Sequence, residues 1–174
     1  MIEIYEKAKK IKMIIMDVDG VLTDGRIIYG NTVGEEYKVF DVKDGFGIRL
    51  AHLAGLLTAI ITGRDSEIVI NRVKDLHIME VHQDVSDKLL IYRKLLNKYG
   101  LSDEEVTCIG DDLMELPILK KAGLSVAVAD AVAEVKEIVD IVTIAKGGRG
   151  AVRELVELIL KAQNKWDMVL DQYK

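Results

Sequence analysis

The chain repeats one pattern: a short run of apolar, β-prone residues, then a stretch with helical spacing. The runs are "KMIIM" (12–16), "LLTAII" (56–61), "VTCIG" (106–110), "LSVAVA" (124–129) and "DIVTI" (140–144). They are almost continuously apolar. A strand with one wet face alternates apolar and polar residues; a strand without alternation needs cover on both faces, as in a parallel sheet between helices. The stretches between them suit that role. "SEIVINRVKDL" (66–76) spaces Ile68, Val69, Arg72, Val73 and Leu76 by three and four residues. "SDKLLIYRKLLNKYG" (86–100) opens with Ser86 as a candidate cap and stops at Gly100, and "AVRELVELILKAQ" (151–163) is strongly amphipathic. The alternation predicts an α/β fold with a parallel sheet and helices on both faces. One segment departs from it. "GRIIYG" and "EEYKVFD" flank "NTVG" and predict a β-hairpin near residues 25–41. "AKGGRGA" (145–151), the one glycine-rich connection, reads as a flexible helix entry.

Composition removes several classes of function. Half of the 174 residues are apolar and one is proline, so a sizeable ordered core is expected. The net charge of −5 and the lack of a basic stripe argue against a nucleic-acid partner. Cys108 is alone, so no internal disulfide forms, and it reads as a small buried hydrophobe. His52, His77 and His82 lack zinc-helix spacing. "MIEIYEKAKK" has no apolar segment of signal-peptide type, and "LAGLLTAIIT" is too short to span a bilayer. A cytoplasmic location without membrane contact is the expectation.

Open parallel sheets bind ligands beyond the carboxyl ends of their strands. Reactive residues collect there. The first run ends in Asp17-Val18-Asp19-Gly20, the second in Thr62-Gly63-Arg64, and "CIG" in Gly110-Asp111-Asp112, while Lys88 lies near a helix start. Three crowded carboxylates, Asp17, Asp19 and Asp111, tolerate one another if a hard divalent cation such as Mg²⁺ offsets their repulsion. A hydroxyl, a glycine amide and an ammonium suit a phosphate. Asp17 is then a nucleophile and Asp19 a general acid/base. Asp24 reads as a turn cap.

Asp17-x-Asp19-Gly20-Val21, Thr62, Lys88 and Gly110-Asp111-Asp112 resemble the four-motif signature of the haloacid dehalogenase superfamily, in its phosphatase branch, over nearly the whole chain. "DVDGVLTDG", the "GNTVGEE" hairpin, "KDGFGIRL", "IITGR", "GDDL", "GLSVAVADA" and "GGRGAVRE" are similar to the 3-deoxy-D-manno-octulosonate 8-phosphate phosphatases, a capless family of lipopolysaccharide biosynthesis. The resemblance implies an aspartyl-phosphate on Asp17, with Asp19 as acid and then base. It implies Mg²⁺ on the Asp17 carboxylate, the Asp19 main-chain carbonyl and Asp111. It gives Thr62, Gly63 and Lys88 to the phosphoryl group, and to Asp112 the orienting of Lys88 or of a metal-bound water. It also places Asp41, Val42, Lys43, Asp44 and Gly45 at the sugar.

Arginines suit the sugar's carboxylate, and Arg49, Arg64 and Arg72 are the candidates, each with a surface salt bridge as the plainer reading. Phosphatases for nonulosonate 9-phosphates share the pattern, and so does an idle oligomerisation module related to acylneuraminate cytidylyltransferase C-terminal domains. The whole chain, 1–174, is expected to form one Rossmann-like hydrolase domain with no room for an inserted cap. Neighbouring subunits are expected to cover the site in a homotetramer. Its contact is the hairpin with Ile27, Ile28, Tyr29, Val39 and Phe40, and Lys146 or Arg149 are candidates to reach a neighbour's site.

Overall fold

The computed structural model describes residues 2–174. In chain order the main elements are α1 (Ile2–Lys10), β1 (Met13–Met16), β2 (Ile28–Tyr29), β3 (Glu36–Tyr37), α2 (Val42–Leu53), β4 (Leu57–Ile61), α3 (Glu67–Leu76) and β5 (Glu80–His82). Then follow α4 (Lys88–Tyr99), β6 (Val106–Gly110), α5 (Leu116–Leu119), β7 (Leu124–Ala127), α6 (Ala133–Lys136), β8 (Ile141–Val142), α7 (Ala151–Ala162) and α8 (Trp166–Leu170). Six strands form one parallel sheet in the order β5-β4-β1-β6-β7-β8. The order reverses at β1, so the crevice of the sheet opens at the end of the first strand. Helix α7 contacts both α1 and α2, and α4 packs with α5.

All of β1 and β6 is buried, as their unbroken apolar runs require. The edges are weaker. β5 is half-exposed and carries Glu80 and His82, so no apolar run announces it. "DIVTI" keeps only two strand residues, because Thr143 turns its hydroxyl to the Ala145 carbonyl and Ile144 stands in solvent. α7 buries Ala151, Val152, Leu155, Val156, Ile159 and Leu160 along one stripe. Trp166 folds back beneath the Arg153 and Lys161 cations of that helix. Asp87, rather than Ser86, caps α4, accepting the Leu90 amide, and Gly100 closes the helix with φ 63°. Among the described residues no helix is long and apolar enough to cross a membrane.

The hairpin forms, but its ladder is two residues per strand. Tyr29, Val33, Tyr37 and Val39 are exposed. Phe40 is the exception to the expected apolar face. It packs against the core, with the Arg72 guanidinium 5.4 Å from its ring centre.

The glycine-rich connection is rigidly used. The Gly148 amide donates to the Val21 carbonyl at 2.8 Å, and the Gly147 amide donates to Asp130 at 2.9 Å. A Cβ on Gly147 would overlap the Gly20 carbonyl oxygen, and one on Gly148 would overlap the backbone at Thr23 and Asp24. Only glycine allows two backbones to approach so closely. The loop after β1 therefore leans on residues 145–150.

Candidate active site

Asp17, Asp19, Thr62, Gly63, Arg64, Lys88, Asp111 and Asp112 converge at the carboxyl ends of β1, β4 and β6, around a cavity of about 220 Å³ that Met114 and Glu115 complete. The floor is charged and dry. The Lys88 ammonium, at the start of α4, donates to Asp17 Oδ1 at 2.6 Å and also to Glu115. All three side chains are almost fully buried. Burial disfavours each charge, and only mutual pairing makes them tolerable. The balance remains uneven. Burial pushes the Asp17 carboxyl up to about 6, against the pull of Lys88. Asp111 is pushed up to about 8 by burial and then by the charges of Asp17, Glu115 and Asp112. Lys88 loses stability as a cation through burial, yet Asp17 and Glu115 outweigh that and raise its pKa.

Two placements differ from the sequence expectation. Asp19 lines the cavity but does not join a three-carboxylate cluster: its carboxylate turns to Lys38 and Arg64. Among the described residues no three His, Cys, Asp or Glu side chains are grouped to hold a metal. Asp112 does not orient Lys88. Its carboxylate accepts the Leu113 amide at 2.7 Å, and the Lys88 contact belongs to Glu115. Glu115 also accepts the Asp112 amide at 3.0 Å, in a capping box. That box is spelled D-x-x-E in the sequence, which is the signal that finds it. Lys38 and Glu36, two residues apart on the hairpin's return arm, were likewise not singled out; residues so spaced share one face of a strand.

The donor set suits a hard cation. Two carboxylates, Asp17 and Asp111, face the cavity, and Gly20, with φ 100°, lies so close to the Asp111 carboxylate that a Cβ would overlap it. At this floor the buried acids Asp17 and Glu115 and the half-buried Asp111 stand against the ammonium of Lys88, a surplus that a divalent cation cancels. These residues fit Mg²⁺.

Of the expected substrate contacts, Gly63, Arg64 and Lys88 line the cavity and the others do not. Asp44 is buried and accepts the amides of Gly150 at 3.0 Å and Arg153 at 2.9 Å, so its carboxylate caps α7 instead of facing a substrate. Asp41 caps α2 by accepting the Lys43 amide. Val42, Gly45, Arg49 and Arg72 line a separate groove of about 560 Å³ between α2 and α3. Arg72 donates to the Asp41 carbonyl, and its Nε is buried without a partner. Arg64 reaches the catalytic cavity, but its guanidinium is paired with Glu36 at 2.8 Å. Arg149 is tied to Asp24, which also holds Arg26, and neither Lys146 nor Arg149 lines the cavity.

An Asp-x-Asp loop at the switch point of a parallel sheet, faced by a threonine, a buried lysine and a third aspartate, defines a phosphohydrolase of the haloacid dehalogenase type. Residues 57–155 match the haloacid dehalogenase-like hydrolase family. The chain belongs to that family and, within it, to the 3-deoxy-D-manno-octulosonate 8-phosphate phosphatases. The Salmonella typhi phosphatase of that name is 48% identical over 164 residues, which are 94% of this chain and 87% of the relative. The Moraxella catarrhalis enzyme, solved with magnesium, phosphate and a KDO molecule, superposes with a TM-score of 0.97 at 43% identity, covering 100% of this chain and 99% of that one. The cobalt-bound Haemophilus influenzae enzyme superposes with a TM-score of 0.88 at 42% identity over 91% and 92% of the two chains.

Proposed function

We propose that the chain hydrolyses 3-deoxy-D-manno-octulosonate 8-phosphate to the free sugar acid and phosphate, with Mg²⁺ as cofactor. The observation that carries the reading is the Lys88–Asp17 contact at the floor of a cavity of about 220 Å³. That is below the usual size of a ligand pocket, but ample for a phosphoryl group.

Asp17 attacks phosphorus, and the bond to the sugar oxygen breaks as an aspartyl-phosphate forms. Asp19 gives its proton to the departing oxygen, then takes one from the water that attacks the intermediate. Phosphate leaves and Asp17 is restored. Lys88, the Gly63 amide and the Thr62 hydroxyl hold the phosphoryl oxygens through both steps. Mg²⁺, held by the Asp17 and Asp111 carboxylates and the Asp19 main-chain carbonyl, supplies the positive charge that lets an anionic nucleophile meet an anionic ester.

The sugar outgrows the cavity and extends past Arg64 and Met114 towards the hairpin. A neighbouring subunit covers it in a homotetramer built on the exposed hairpin face, and Arg49 and Arg72 belong to this reading as groups offered from the α2–α3 groove to an adjacent site. Residues 1–174 act as one hydrolase domain, placed in the cytoplasm and in lipopolysaccharide biosynthesis.

Phosphate release from the eight-carbon substrate tests the reading. Turnover is expected with Mg²⁺ and not after chelation. A higher kcat/KM for a nine-carbon sugar-acid phosphate would move the assignment to that substrate. Light scattering checks the tetramer.

A further inference from the structure

Lys38 follows β3 on the return arm of the hairpin, between the exposed Tyr37 and Val39, yet its own side chain is 1% exposed. Burying an ammonium is costly unless it is paired. Its partners are Asp19 Oδ1 and, at 3.5 Å, Glu36 Oε1. Arg64 closes the ring, with Nε 3.6 Å from Asp19 Oδ2 and Nη2 2.8 Å from Glu36 Oε1. The Ser66 hydroxyl donates to the other Glu36 oxygen at 3.2 Å. Two acids and two bases thus alternate around the ring, and each oxygen of Asp19 faces a cation. Among the described residues, the one hydrogen bond to the Asp19 carboxylate comes from Lys38.

A hairpin that served assembly alone has no use for a buried lysine aimed at the loop after β1. We propose that Lys38 is a positioning residue for Asp19: the hairpin holds the carboxyl group that, in its acid form, gives its proton to the leaving oxygen, so the element offered for the subunit contact also sets the geometry of leaving-group departure. The inference rests on the phosphatase reading. Glu36 anchors the arrangement through Arg64 and Ser66, which follow β4, and this ties the hairpin to the catalytic edge on two sides. A carboxylate held at both oxygens keeps one rotamer, and proton transfer depends on that geometry.

The discriminating experiment varies the leaving group. An alkyl or sugar oxygen needs a proton to depart, whereas 2,4-dinitrophenolate does not. In Lys38→Met, which keeps length and packing and removes the charge, single-turnover phosphorylation of the enzyme is expected to slow about 100-fold with alkyl phosphates and less than about threefold with 2,4-dinitrophenyl phosphate. KM changes little. Lys38→Arg is expected to recover at least about tenfold of the alkyl rate. Equal losses on both ester classes, or no loss on either, would overturn the proposal. If Lys38→Met does not fold, the slope of rate against leaving-group acidity in Lys38→Arg decides: steeper than wild type supports it, unchanged overturns it. A wild-type chain that turns over no ester in the series overturns the phosphatase reading and this one together. A wild type active on the series but not on the octulosonate ester removes only the substrate assignment.

Discussion

The two ends of the sheet carry the same chemical groups and treat them oppositely. At the amino ends of the strands, Lys10 meets Glu104 at 2.8 Å and Lys12 meets Glu105 at 2.6 Å, each cation with its own acid in water. Glu104 raises the Lys10 pKa and Lys10 lowers that of Glu104, so each partner favours the charged form of the other. At the carboxyl ends one lysine is shared by two buried acids, and Asp111 makes no salt bridge among the described residues. There burial penalises the ionised carboxylates of Asp17 and Asp111. The difference teaches where this fold tolerates unfavourable electrostatics: at the end where a bound cation and a phosphate relieve them.

Breaking the lysine's arrangement has the largest effect. Glu115→Gln retains an acceptor for the Asp112 amide but removes one of the two charges around Lys88. Steady-state kinetics are expected to show kcat lowered by about 10- to 100-fold with a smaller change in KM. An unchanged kcat would mean that Asp17 alone holds Lys88, and the contrast between the two ends would weaken.

Asp111→Asn sharpens the contrast through stability. In the metal-free protein Asp17 and Asp111 have folded pKa values of about 6 and about 8, above the ordinary carboxylate value of 3.8. The folded state therefore holds more protons than the unfolded state between about pH 4 and pH 8, and stability falls as pH rises through that window. Urea unfolding in chelator is expected to show that fall. Asp111→Asn should flatten its upper part and gain about 1–3 kcal/mol above pH 8. Mg²⁺ added to the wild type stabilises it at the same pH and does so far less in the variant. A variant less stable than wild type without metal would refute the claim that Asp111 is held at a cost.

The amino end supplies the smallest effect. Lys10→Ala is expected to leave the thermal midpoint unresolved from wild type, because a solvated pair is worth little. A clear drop would show that paired surface charge matters here as much as the buried kind.

The central strands were legible because burial on both faces leaves β1, β4, β6 and β7 without charged residues, and their buried hydroxyls, Thr58, Thr107 and Ser125, are hydrogen-bonded. The edge strand β5 was not so legible, since its half-buried Glu80 and His82 blur the pattern. The residues of the candidate site were legible for a related reason: Asp17, Thr62, Lys88 and Asp111 sit at the end of a strand or the start of a helix, where such residues serve no core. Glu115 and Lys38 look like ordinary surface charges until the fold buries them. Asp44 shows the reverse. It was read as a sugar contact because nothing in the local sequence shows that the amino end of α7, more than a hundred residues later, arrives to claim both of its oxygens.

The close approach of Gly147 and Gly148 to the loop after β1 bears on how the enzyme comes into being. During synthesis the loop after β1 leaves the ribosome more than a hundred residues before the backbone against which it rests, a lead of roughly 6–25 s at usual elongation rates. For most of that interval β1 also lacks β6, one of its two neighbours in the sheet. The nascent chain thus carries Asp17 and Asp19 well before the glycine-rich connection that supports their loop has been made.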